Sequence, residues 1–354
     1  MRNSILALVG LLVLASGADA QAPPTPQTTP TPQTAPTPPP PPPLPNVDRV
    51  RIAEAFRLAD SLCNRVWPDW DKAPFAVLLV TPEHEFLIRH PSPTEDFTKV
   101  GRDSVLGQDV WVRDRKLSTR LLATYPAVAG ISTIVIGQAE STMVKTSTPW
   151  IITLLHEHFH QLQYSQPGYY VGVDALGLAR GDKSGEWMLN YPFPYTEPKV
   201  KEQFSAMCKS LGGALRSRGQ GDFAKKVASY AKAKQKFQSS LKADDYSYFA
   251  FQAWQEGIAR YTEYHLAKLA AAEYQPSKEF KELADYTSFQ DVANGILSAI
   301  EKGLETVELD KAQRTALYSF GAAEGLVLDG ANPTWRERYF RDKFSLDNAF
   351  PQEK

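Results

Sequence analysis

Three of the six histidines in this 354-residue chain fall within five positions, in Leu155-His156-Glu157-His158-Phe159-His160-Gln161. This cluster constrains the fold more than any other feature, because its outer histidines act together only on a helix. Four residues apart, His156 and His160 then project from one face about a turn apart. The flanking sequence agrees. Thr148 is a good N-cap, Pro149 suits the first helical position, and Ile152, Leu155, Phe159 and Leu162 form an apolar side. A helix over about 148–164 is expected.

Two neutral imidazoles at that spacing suit one Zn²⁺, at roughly 2.1 Å from each nitrogen. Glu157 is displaced around the helix, where its carboxylate can take a proton from water at the metal while the metal polarises a carbonyl. His158 points away from the 156/160 face and reads as a residue behind the ligands or on the surface. A catalytic site needs a third protein ligand and an open position. The remaining histidines are His84, His90 and His265. A better third ligand lies in Trp254-Gln255-Glu256-Gly257-Ile258-Ala259-Arg260-Tyr261-Thr262-Glu263. There Glu256 sits on an expected helix among Phe249, Phe251, Ala253, Ile258 and Tyr261, where burial is costly unless the acid is paired or metal-bound. The glycine beside it would let a second helix approach closely. The plainer reading of Glu256 is an exposed helix acid.

The pair H-E-x-x-H-Q and W-x-E-G-x-A-x-Y-x-E resembles the gluzincin metallopeptidases, and within them the aminopeptidase-type signature. That resemblance implies a zincin-like fold, with His156, His160 and Glu256 as zinc ligands and Glu157 as general base. Arg260 stands where thermolysin-like members carry an aspartate, so the partner that orients a zinc histidine must come from elsewhere. Asp174, Asp182, Glu186, Glu263 and Asp329 are the candidates. Similar enzymes stabilise the oxyanion with a tyrosine or histidine from a later helix. Tyr318 is the first candidate, followed by Tyr261 and His265. An edge strand before the zinc helix, pairing with extended substrate, is expected at Ser132–Ile136; an interior strand is the alternative. Glu140 could anchor a free amine, although a surface turn acid is the plainer reading.

The rest of the sequence sets the context. Residues 1–20 read as a signal peptide: Arg2, the apolar run Ile5–Ala15, then Ala18-Asp19-Ala20 before cleavage at Gln21. The apolar run is too short to span a bilayer comfortably. Residues 21–46 hold thirteen of the 27 prolines and no charge, which makes them a polyproline linker. Thirty-nine basic against 40 acidic residues argue against nucleic acid and against adsorption to anionic membranes. An exported, secreted or periplasmic chain meets an oxidising milieu, so Cys63 and Cys208 could be joined; two buried thiols are the alternative.

Strand patterns at 75–80, 85–88, 110–112 and 131–136 follow a first helix ending near Cys63. Helical patterns recur at about 148–164, 197–217, 221–241, 244–270, 279–302 and 310–329. The order predicts an α+β domain over 47–354, with a small mixed sheet within about 47–165 and a mainly helical part over 166–354. The functional expectation is a zinc-dependent peptidase acting on peptide or protein substrates. The alternative is a non-catalytic domain with a structural or vestigial zinc site.

Overall fold

A computed structural model describes residues 40–351. The expected signal peptide and most of the expected linker lie outside the described residues. Helix α1 spans Asn46–Val66 and leads into six strands: β1 Val77–Val80, β2 His84–Ile88, β3 Thr98–Asp103, β4 Gln108–Asp114, β5 Leu122–Val128 and β6 Ile131–Gly137. They form one mixed sheet in the order β3-β4-β2-β1-β6-β5, antiparallel throughout except for the parallel pair β1 and β6.

The remainder is helical. α2 (Ser147–Ser165) and α3 (Tyr169–Ala175) are followed by α4 (Trp187–Asn190), α5 (Pro198–Arg216) and α6 (Phe223–Gln238). α7 (Ala243–Gln252) runs through a π-helical turn, Ala253–Gly257, into α8 (Ile258–Glu273). α9 (Lys278–Lys281), α10 (Phe289–Glu305), α11 (Leu309–Ala312), α12 (Ala316–Ala331) and α13 (Trp335–Tyr339) complete the fold. The architecture is therefore α+β, with a six-stranded sheet ahead of a mainly helical part. Among the described residues no helix is long and apolar enough to cross a membrane.

The sheet is covered on both faces, which the two-residue period of a strand makes visible. Val77, Leu79, Phe86, Ile88, Ile134 and Ile136 join the main core with α1 and α2. Leu78, Val80, Leu87, Phe97 and Val135 form a second cluster, against which Trp111, Leu121 and Tyr125 pack. The sequence pattern missed β3 and β5 for local reasons. β3 (TKVGRD) is mostly polar and shifts register between Lys99 and Gly101, while β5 carries Pro126 within a shift between Tyr125 and Val128. Gly and Pro both weaken a strand signal.

Four further expectations are corrected. Ser132–Ile136 lies in β6, which is interior between β1 and β5; the free edge on this side is β5. The strand order follows from the β1–β6 pairing, which spans more than fifty residues and leaves no mark in local sequence. Helix α2 starts at Ser147 with Thr146 at its cap, because the Ser147 and Thr148 side chains are taken by Asp285 and the Thr287 backbone. The segment 279–302 is two helices, α9 and α10, separated by a turn. Cys63 and Cys208 are both buried free thiols, each raised by burial well above the usual thiol range.

Candidate metal centre

Helix α2 is fixed to the sheet by polar bonds as well as apolar packing. The Gln161 amide donates to the carbonyls of Ala76 and Ser132 at 3.1 and 2.9 Å, bridging the starts of β1 and β6. Trp150 Nε1 donates to Gly137 O at 2.9 Å, and Trp70 Nε1 to His158 O at 3.3 Å. Ile151, Leu155, Phe159 and Leu162 are buried below. These anchors fix the direction in which His156 and His160 project.

Their Nε2 atoms lie 3.1 Å apart, and Glu256 Oε2 stands 3.6 Å from His156 Nε2 and 3.4 Å from His160 Nε2. The three candidate ligand atoms lie within 4.8 Å of one another. The opposite ring nitrogens are already engaged. His156 Nδ1 meets Glu263 Oε1 at 2.7 Å, and a carboxylate can only accept, so Nδ1 carries the hydrogen. His160 Nδ1 meets Gln163 Oε1 at 2.6 Å, and the Gln163 amide nitrogen is occupied by Gln255 O and the Tyr339 hydroxyl. Both Nε2 lone pairs therefore face Glu256 when the rings are neutral. Two imidazole nitrogens and a carboxylate oxygen converging on one point, each braced from behind, fit a divalent cation of the borderline type.

The electrostatics agree. Burial opposes ionisation of Glu256, yet the two histidines and Arg314 hold its carboxyl well below the usual range. Burial likewise opposes the charged form of His156, but the Glu256 and Glu263 carboxylates prevail and push its pKa up to about 10. Without a metal, a proton on His156 answers this surplus of negative charge; a bound cation would take its place.

Glu256 itself lies in the π-helical turn between α7 and α8. The extra residue in such a turn shifts the helical phase by about 100° and disturbs the regular backbone bonding. Tyr339 donates to Trp254 O at 2.6 Å and Gln163 to Gln255 O at 3.1 Å, so both carbonyls are satisfied. Gly257 faces Gly321 of α12, as the expected close helix approach requires. A Cβ on Gly257 would fall 2.4 Å from Gly321 Cα, and one on Gly321 would fall 2.3 Å from Ala253 O.

Glu157 is buried, and the Thr124 hydroxyl lies 2.8 Å from its Oε2 and 2.9 Å from its backbone carbonyl. Thr124 lies on β5, so the acid beside the histidines is tied to the edge strand. Tyr318, on the first turn of α12, stacks parallel to the His156 ring at 6.1 Å and accepts a bond from Arg314 Nη1 at 3.0 Å. Burial and the nearby Glu256 carboxylate hold its phenol neutral, a donor. Arg314 Nη1 also donates to Glu256 Oε1 at 3.1 Å.

The other candidates lie elsewhere. Of the five acids considered behind a histidine, Glu263 is the one in place. Asp174 and Glu186 are exposed, Asp182 binds Ser184 and the Trp187 backbone, and Asp329 is engaged by Tyr261, His265 and Trp335. Tyr261 and His265 thus form their own cluster around Asp329. His158 is neither a ligand nor a surface group. It is stacked on Phe75 at 3.7 Å with Nδ1 toward Gln161, and burial lowers its pKa to about 3. His84 lies beside Phe86, and His90 meets Val128 O at 3.3 Å. The Glu140 carboxylate is exposed on a short turn and clamped by Arg51 at 2.6 Å, which fits the plainer reading of a surface turn acid.

Sequence reasoning missed Gln163, Arg314 and Thr124. The first two had a signal in helical spacing, three residues after His160 and four before Tyr318. Thr124 had none, since only strand pairing brings it to α2. The chain matches no protein-family model, and no curated protein or solved structure matches it significantly.

Proposed function

We propose that this chain is an exported zinc metallopeptidase of the gluzincin type, with a zincin-like fold, working in a secreted or periplasmic setting. The observation that carries the reading is the convergence of His156 Nε2, His160 Nε2 and Glu256 Oε2 beside a buried glutamate and a neutral tyrosine. The N₂O donor set is that of catalytic zinc sites, which keep a position open. When bound there, zinc makes water acidic and a carbonyl electrophilic.

The protein groups do the rest. Glu157, steadied by Thr124, takes the proton from the attacking water and passes it to the departing amine. Tyr318 donates its phenolic hydrogen to the carbonyl oxygen as negative charge builds there. The outer edge of β5 offers backbone groups to an extended peptide, on the strand that also holds the base through Thr124. Glu263 and Gln163 keep the histidines in the tautomer that presents Nε2. A closed structural site would need a fourth ligand, and His158 and His265 are both engaged elsewhere.

Metal analysis tests this reading. The purified chain should bind one zinc per molecule, and Glu256→Ala should lose most of it. Chelation should abolish cleavage of an unfolded protein substrate, and added zinc should restore it. Wild-type zinc affinity in Glu256→Ala would remove Glu256 from the ligand set.

A further inference from the structure

Arg314 was not part of the sequence-based site, yet among the described residues it is the arginine or lysine bonded to a member of the triad. Its backbone setting is unusual. α11 ends at Ala312, and Gln313 takes φ +46°, ψ −130° before the chain turns into α12. A non-glycine residue held in that region is strained and persists only where its surroundings impose it. The turn seats Arg314 over the centre with about a fifth of its side chain exposed.

One nitrogen makes both of its contacts. Nη1 lies 3.1 Å from Glu256 Oε1 and 3.0 Å from the Tyr318 oxygen. A guanidinium only donates, so both oxygens accept. The Glu256 oxygen facing the two Nε2 atoms is the other one, Oε2. With Arg314 bonded to its oxygen as donor, Tyr318 directs its single hydrogen away from Arg314, and the Glu256 carboxylate is the acceptor nearby.

We propose that Arg314 is a positioning residue that divides the site's labour. It reserves Glu256 Oε1, so that Oε2 alone serves the metal, and by competing with Tyr318 for that carboxylate it leaves the phenolic proton for the substrate oxygen. The first half concerns metal binding alone; the second rests on the peptidase reading.

Cobalt(II) loaded into the full chain in place of zinc reads the first half without turnover, because low-coordinate Co²⁺ absorbs more strongly in the visible than higher-coordinate Co²⁺. In Arg314→Gln the carboxylate is freed to offer both oxygens, and the visible band should weaken. Arg314→Lys should keep the larger part of the band, since one ammonium nitrogen can make both bonds. Thermal melts identify variants that fold, with Arg314→Ala as the substitute should Arg314→Gln not fold. A band in Arg314→Gln equal to wild type overturns the proposal, and so does an identical change in Arg314→Gln and Arg314→Lys.

A double-mutant cycle reads the second half. Arg314→Gln should lower kcat about tenfold or more in the wild-type background and less than about threefold in Tyr318→Phe, with KM little changed in both. Equal losses in the two backgrounds remove the link to Tyr318. A wild-type chain without any turnover would refute the peptidase reading, while the cobalt band would still decide the Glu256 half.

Discussion

Gly321→Ala tests how the site is assembled without touching a group that does chemistry. The new Cβ would fall 2.3 Å from Ala253 O and 2.8 Å from Gly257 Cα, where ordinary contact begins at 3.4 Å. The obstacles are backbone atoms, so no side chain can swing aside. α12 must move off the π-helical turn by about 1 Å, at a cost of about 1–3 kcal/mol for overpacking. In a domain of this size that lowers the melting temperature by roughly 2–5 °C. Tyr318 lies one turn before Gly321 and Glu256 one residue before Gly257, so the same movement separates the tyrosine from the metal ligands. A misplacement near 1 Å is worth up to about 100-fold in rate. Gly295→Ala is the control, because its Cβ would meet open space on α10. Scanning calorimetry and kcat measured on both variants should show a loss in Gly321→Ala and none in Gly295→Ala. Equal melting temperatures and equal kcat in the two would refute the claim that this glycine contact sets the site.

Other outcomes follow from the same geometry. Glu263→Gln replaces the carboxylate behind His156 with a neutral amide and should weaken zinc binding about 10- to 100-fold, as read by competition with a chromophoric chelator. Wild-type affinity would show that Glu263 only fills space. The raised His156 pKa means that the metal-free protein holds a proton there at pH 7.5, so zinc binding should release about one proton. Calorimetry in buffers of different ionisation enthalpy measures it, and a buffer-independent enthalpy would count against the assignment. The linkage has a definite sign. Because the folded pKa is raised above 6.5, to about 10, the stability it confers on the metal-free form is complete below about pH 6.5 and is lost as pH rises through about 10. Denaturant midpoints of the metal-free protein should fall over that window, and a flat profile would contradict it.

What the sequence showed was whatever repeats locally. The 3.6-residue pattern located α2, and the His156/His160 spacing gave the face on which they meet. Glu256 was found through a motif rather than through geometry, because no local pattern marks the extra residue of a π-turn. The order of the sheet was not legible, since the parallel β1–β6 pair joins residues far apart in the chain. That long-range pairing made β5 the edge and brought Thr124 to Glu157. Glu263 was among five acids that sequence could not rank, and only the packing of α8 on α2 selects it. The glycine at 257 suggested a close helix neighbour, but which helix it met depended on the fold.

The most direct test of the central claim is to incubate the zinc-loaded protein and its Glu157→Gln variant with a mixed peptide library and read new termini by mass spectrometry. The account predicts cleavage by the wild type alone, with zinc bound to both proteins, because Glu157 serves the reaction and the ligands hold the metal. No cleavage by either protein, or equal cleavage by both, would contradict it.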